Sequence, residues 1–233
     1  MSMLREDQAP EVGGVSACIF DFGGVMTVRD DRHSSLPPEL ASLVAFYQQE
    51  FADWYHIPTV EHDIHRVEVG EISLDDYFEG LCQRHAEAGN PLIPTPVARA
   101  TVFAGFDPCL EMVALVGQLR QSGYRTALLT NVGHEAPPLW RRVLGDHVDR
   151  IFDTVVDSSA VGVRKPDPRA YLVATSRLGV EPKECLFVDD LPCNLAAAAG
   201  LGMKTFHCTD SRRAAATLGA AFAGATARRL VTC

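Results

Sequence analysis

The run Val15-Ser16-Ala17-Cys18-Ile19-Phe20-Asp21-Phe22 is apolar almost throughout and stops at Gly23-Gly24. Short apolar runs bounded by turn residues are the pattern of strands buried on both faces of a parallel sheet. Four later stretches read the same way: Arg125–Thr130, Ile151–Val156, Glu184–Asp189 and Met203–Phe206. Between them lie stretches of helical length and amphipathic pattern at Pro108–Ser122, Ala136–Leu144, Pro168–Leu178 and Leu191–Leu201. Strands alternating with helices predict βαβ units, hence an α/β fold in which a doubly wound parallel sheet carries helices on both faces.

Residues 32–104 break the alternation. Pro37-Pro38 opens a helical pattern through Leu40, Leu43, Val44 and Tyr47, and Ser73 with Asp75-Asp76 caps a second through Tyr77, Leu81 and Cys82. The stretch is predicted to be an all-helical cap inserted into a Rossmann-like core at 15–31 and 105–209, with tails at 1–14 and 210–233, the latter ending in a surface helix. Length agrees: 233 residues against ~150 per domain leaves room for one full domain and a smaller addition.

Apolar residues make up 47% of the chain and charged residues 22%, values of a globular protein rather than a disordered or fibrous one. The net charge of −9 and the lack of a Lys/Arg cluster exclude nucleic acid and anionic membrane surfaces as expected partners. The 7 cysteines form no Cys-x-x-Cys pair, and the first fourteen residues have no apolar run, so a reducing, cytoplasmic setting is expected. Lysine occurs only at 165, 183 and 204.

Ligands of open parallel sheets bind beyond the carboxyl ends of the strands. The residues predicted there are Asp21 with Gly23 and Gly24, Thr130-Asn131, Asp189-Asp190 with Asn194, and Lys165 from the loop Gly162–Pro168. Three carboxylates and one ammonium leave a negative excess that a divalent cation offsets, and hard oxygen donors with an incomplete protein shell suit Mg²⁺. Asp21 is then a candidate nucleophile towards phosphorus, with Thr130 and Lys165 holding phosphoryl oxygens.

The ordered set Asp21-Phe22-Gly23-Gly24-Val25, Leu129-Thr130-Asn131, Lys165-Pro166 and Asp189-Asp190 with Asn194 resembles the four motifs of the haloacid dehalogenase superfamily. The helical insertion resembles the C1 cap of that superfamily's subfamily I. The resemblance spans residues 15–208. It implies a Mg²⁺-dependent phosphatase of a small phosphorylated metabolite, in which Asp21 forms an aspartyl-phosphate. Thr130 and Lys165 complete the catalytic set, and Asp21, Asp189, Asp190 and the Gly23 carbonyl hold the metal. Gly24, Asn131 and Asn194, with Gly23, are expected at the substrate.

Phosphatases of that superfamily carry a general acid two residues after the nucleophile, where this chain has Gly23. Three readings follow. The enzyme acts on leaving groups that need little protonation, or borrows a proton carrier such as Thr27, Asp30 or Glu71. It is a 2-haloacid dehalogenase, in which Asp189-Asp190 would have no metal to hold. Or it binds a phosphorylated ligand or a protein and hydrolyses little. A phosphonatase would need a cap lysine for a Schiff base, and residues 32–104 contain none.

His56, His62 and His65 are read as solvated surface rather than a metal cluster, outside any clear helix. Arg164 is read as pointing away from Lys165, with substrate contact as the alternative. Phe22, Trp54, Tyr55 and Tyr77 are read as core aromatics, with the space between cap and core as the alternative.

Overall fold

The computed structural model describes residues 10–29, 35–54 and 62–231. Strands β1 (Ala17–Phe20) and β2 (Thr27–Arg29) precede helices α1 (Pro38–Trp54), α2 (Asp63–Glu68), α3 (Leu74–Glu87) and α4 (Thr95–Phe103). Then come β3 (Phe106–Pro108), α5 (Leu110–Gln121), β4 (Arg125–Thr130), α6 (Leu139–Leu144), α7 (His147–Ile151) and β5 (Thr154–Asp157). The chain continues through α8 (Ser158–Val161), α9 (Pro168–Leu178), β6 (Cys185–Asp189), α10 (Pro192–Gly200), β7 (Lys204–His207) and α11 (Ser211–Val231). Among the described residues no helix is long and apolar enough to cross a membrane.

The five-stranded sheet has the order β5-β4-β1-β6-β7 and is parallel throughout. Side chains of successive strand residues alternate between its faces. Cys18, Phe20, Leu128, Leu186 and Val188 join one apolar cluster with α5 and α11, whereas Ala17, Ile19, Ala127, Leu129, Cys185 and Phe187 join another with α9 and α10. Burial on both sides explains why these strands are uninterrupted apolar runs. The chain runs from β1 to β4 and β5 on one side, then returns to β6 and β7 on the other. The order in which strands are added therefore reverses at β1, and the crevice beyond its carboxyl end is where a ligand site is expected.

Helices α1 to α4 enclose an apolar cluster of their own, which includes Leu43, Val67, Tyr77, Phe78, Leu81 and Val102. Helix α3 starts as its capping pattern dictates: the Ser73 hydroxyl accepts from the Asp76 N–H at 3.0 Å.

Several boundaries differ from the sequence reading. β2 pairs antiparallel with β3, so a two-stranded ribbon carries the chain out to the helical insertion and back. Strands of three residues are too short to show a period. α6 begins at Leu139 rather than near Ala136, because Pro138, at φ −58° and ψ 151°, holds the backbone extended ahead of it. Ile151 closes α7, and the strand expected from that residue begins at Thr154. The C-terminal segment expected as a tail is α11, which buries Ala214, Ala215, Leu218 and Phe222 against the core.

Candidate active site

β1 is level with β6 so that Phe20 faces Val188, and the Asp21 N–H extends the pairing by donating to the Val188 carbonyl at 2.9 Å. Asp21 thereby stands abreast of Asp189, the last residue of β6. Carboxylate oxygens of Asp21, Asp189 and Asp190 lie within 4.8 Å of one another. The two neighbouring aspartates do different things. Asp189 is fully buried among donors: its Oδ1 accepts from the Leu191 N–H at 2.8 Å, and both of its oxygens accept from Asn194 Nδ2 at 3.1 Å. Asp190 is half-buried and faces the adjoining cavity.

Lys165, 1% exposed, reaches this cluster from the loop before α9. Its Nζ donates to Asp21 Oδ1 at 2.5 Å and to Asp189 Oδ2 at 2.8 Å. The loop is fixed by Asn131, whose amide donates to the Lys165 carbonyl and accepts from the Lys165 N–H, both at 2.9 Å. At its far end Asp167 caps α9 by accepting from the Arg169 N–H at 2.8 Å. Thr130, 1% exposed, ends β4 and lines the cavity. Asn131 and Asn194, expected at the substrate, also line the cavity, yet each spends its amide on a neighbour: Asn131 aims Lys165, and Asn194 aims Asp189.

Burial pushes the Asp21 carboxyl up to about 8; Lys165 opposes this, while Asp189 and Asp190 add to it. Burial also works against the Lys165 ammonium, but the Asp189 and Asp21 carboxylates outweigh it and hold the group above the usual lysine range. The cluster thus stays negative overall.

Two glycines have different freedoms here. Gly24 has φ +70°, and a Cβ built on it would stand 2.5 Å from Asp190 Oδ2, so both its backbone and the close carboxylate require glycine. A Cβ on Gly23 would meet nothing within 4 Å. Among the described residues, a side chain at position 23 could therefore start without a clash at its Cβ.

A cavity of about 710 Å³ opens from the cluster towards the helical insertion, whose Tyr47, Phe51, Ile64, Val67, Tyr77 and Phe78 form its far walls. Core and insertion touch closely: a Cβ on Gly133 would come within 2.6 Å of Val67 and Leu74. Two ion pairs join them. Arg164 Nε donates to Glu68 Oε2 at 2.5 Å, and Arg99 pairs with Glu135, which also meets Arg142 at 3.0 Å. The sequence reading missed Glu68 and Glu135, both buried and cavity-lining. Arg164 does turn away from Lys165, towards the insertion.

Of the proposed substitute acids, Thr27 lines the cavity, and its hydroxyl accepts from the Gly24 N–H at 3.0 Å. Glu71 pairs instead with Arg66 at 3.5 Å, and Asp30 lies outside the described residues. Phe22 and Tyr77 line the cavity; Tyr55 and the Trp54 side chain lie outside the described residues. His62 and His65 are half-buried rather than solvated, and on or beside a helix after all: His62 caps α2 through Nδ1, and the rings are 6.4 Å apart. His56 is not among the described residues.

A doubly wound parallel sheet with a carboxylate cluster at its switch point and a helical insertion over it defines a Rossmann-like α/β protein with a roofed candidate site. Residues 15–202 match the model of the haloacid dehalogenase-like hydrolases, and the chain belongs to that family. It is 37% identical over 144 residues to mouse acyl-CoA dehydrogenase family member 10, with 58% of this chain and 13% of that protein aligned. The chain thus spans a small part of that relative. It is 29% identical over 199 residues to the sesquiterpene phosphatase of Aspergillus oryzae, with 84% and 90% of the two chains aligned. 2-Haloacid dehalogenases are also among its relatives. A HAD-family enzyme of Bacteroides thetaiotaomicron shares the fold at TM-score 0.61 and 19% identity, over 83% of this chain and 93% of that one.

Proposed function

We propose that this chain is a Mg²⁺-dependent hydrolase of small phosphate monoesters, working through an aspartyl-phosphate on Asp21. One observation carries the reading: three carboxylates lie within 4.8 Å of one another, two of them bonded to one buried ammonium, at one end of a roofed cavity. The donor set fits a hard divalent cation, for which Asp21, Asp189, Asp190 and the Gly23 carbonyl are the protein ligands. When bound, the cation supplies positive charge that offsets the carboxylates and the phosphoryl oxygens. The Bacteroides neighbour was crystallised with magnesium and inorganic phosphate, which supports this choice of ion.

The Asp21 carboxylate attacks phosphorus, the ester P–O bond breaks, and its electron pair leaves on the alcohol oxygen. The Lys165 ammonium and the Thr130 hydroxyl donate to phosphoryl oxygens, whose charge they stabilise in a site shielded from water. Asn131 and Asn194 keep Lys165 and Asp189 in place. Water then attacks phosphorus and breaks the bond to Asp21, which releases inorganic phosphate and restores the carboxylate. With Gly23 at the acid position, the alcohol oxygen leaves without a dedicated proton donor, so phosphates of stable oxyanions are the better substrates.

The test is Asp21→Asn in the full chain with Mg²⁺ and p-nitrophenyl phosphate. Phosphate release is expected to disappear; undiminished release refutes the nucleophile assignment. Gly23 and the dehalogenase relatives favour a second reading, displacement of halide from carbon by Asp21. That reading predicts chloride release from 2-chloropropionate in EDTA, whereas the phosphatase reading predicts none.

A further inference from the structure

Six aromatic rings form a continuous file through the cavity. Phe22, the residue after Asp21, stacks on Phe106 with ring centroids 6.0 Å apart, and Phe106 meets Phe103 at 6.3 Å. Phe103 meets Phe78 at 5.5 Å, Phe78 meets Tyr47 at 6.5 Å, and Tyr47 meets Phe51 at 6.1 Å. All six line the cavity. Core packing alone does not account for the file, because Tyr47, Phe51, Phe103 and Phe106 are only half-buried and line the cavity.

Charge in the walls points the same way. Lys165 is the sole cationic side chain among the described residues lining the cavity, and it already serves the carboxylate cluster. The two acidic wall residues away from the cluster, Glu68 and Glu135, are each paired with arginine. A second phosphate or a carboxylate on the substrate would thus meet, among the described residues, no available cation and two acidic neighbours. A polyhydroxylated sugar lying along the ring file would set part of its hydroxyls against aromatic carbon, a costly exchange for water. The phosphoryl group occupies only the end at Asp21, so most of the cavity of about 710 Å³ remains for the alcohol, a volume in the range of drug-sized ligand pockets.

We infer that the substrate is a monophosphate of an uncharged, apolar alcohol or phenol, whose body lies along the ring file from Phe22 to Phe51. The inference rests on the phosphatase reading and narrows it to a substrate class. Gly23 is consistent with the phenol end of that class, since a phenoxide departs without help from an acid. Aromatic walls also favour planar or branched hydrocarbon through large contact areas.

The experiment compares kcat/KM of the full chain with Mg²⁺ on 1-naphthyl phosphate and hexyl phosphate against glucose 6-phosphate and AMP, with p-nitrophenyl phosphate as the check on phosphatase activity. The apolar pair is expected to exceed the polar pair by 10²-fold or more, after allowance for leaving group by comparing hexyl phosphate with glucose 6-phosphate alone. Equal or greater kcat/KM on glucose 6-phosphate overturns the inference while leaving the phosphatase reading intact. Phe51→Ala is expected to raise KM for 1-naphthyl phosphate roughly 10-fold, without changing inhibition by inorganic phosphate, which occupies only the Asp21 end. An unchanged KM overturns the ring-file placement. If no ester is hydrolysed, the phosphatase reading fails, and calorimetry with hexylphosphonate decides the apolar class separately. Binding at least 10-fold tighter than that of glucose 6-phosphate upholds it, and equal binding overturns it.

Discussion

Gly23→Asp places a carboxylate at a position whose Cβ meets no described neighbour, two residues after Asp21. A Cβ there meets nothing within 4 Å, and the backbone is not in the left-handed region, so the variant is expected to fold with a Tm close to that of the parent. A positioned general acid contributes ~10²–10⁴ in rate, the ceiling for any gain. The new carboxylate arrives without evolved partners and adds a fourth negative group beside Asp21, Asp189 and Asp190, which holds the expected gain to the lower end, about 10- to 100-fold. The gain must depend on the leaving group. p-Nitrophenolate leaves readily as an anion, so its ester should change less than about threefold, whereas hexyl phosphate, which expels an alkoxide, should show the full effect. The assay is release of the alcohol under single-turnover conditions with saturating Mg²⁺, which isolates the step in which the proposed aspartyl-phosphate would form. Equal acceleration of both esters, or loss of both with Tm unchanged, would refute the reasoning that proton delivery is what Gly23 removes.

Other consequences are equally open to measurement. Gly24→Ala combines φ +70°, costing ~1–3 kcal/mol for a residue with a side chain, with a Cβ 2.5 Å from Asp190 Oδ2; activation by Mg²⁺ should need about 10- to 100-fold more metal, and an unchanged titration would argue against Asp190 as a ligand. Arg164→Ala removes the arginine paired with the buried Glu68 carboxylate at a cost of ~3 kcal/mol, lowering Tm by roughly 6–12 °C, and Arg164→Ala with Glu68→Leu should recover most of the loss. In EDTA, the folded chain keeps the Asp21 proton up to about 8, whereas the unfolded chain gives it up near ~3.9. Between those values the native state binds more protons, so this group makes stability fall as pH rises. Asp21→Asn should flatten that part of the Tm profile, and Mg²⁺ should flatten it in the parent; a profile identical in parent and variant would contradict the burial argument.

The sheet was legible because its strands are buried on both faces, which forces apolar runs such as Ala17–Phe20 and Cys185–Asp189 that no surface segment imitates. α9 was legible to the residue, since Asp167-Pro168 starts it and Gly179, at φ 69°, ends it. β2 and β3 were not legible, because three residues carry no period and their pairing joins segments on either side of the whole insertion. α11 was misjudged for a related reason: its small Ala-rich core-facing side looks little different from its exposed one until α5 lies against it.

The polar residues of the site could be picked out from their positions at strand ends, but their division of labour could not. Nothing in the sequence separates Asp189, wholly buried among donors, from Asp190, which faces the cavity. Nor does it show that Asn131 and Asn194 spend their amides on Lys165 and Asp189. Sequence alone determined the carboxylates, the lysine and their chain order, because backbone topology brings strand ends together whatever lies between them. Only the tertiary structure decided that Arg164 meets Glu68 across 96 residues and that six scattered aromatic residues form one file, because such contacts depend on how the insertion sits on the core, which no local pattern encodes.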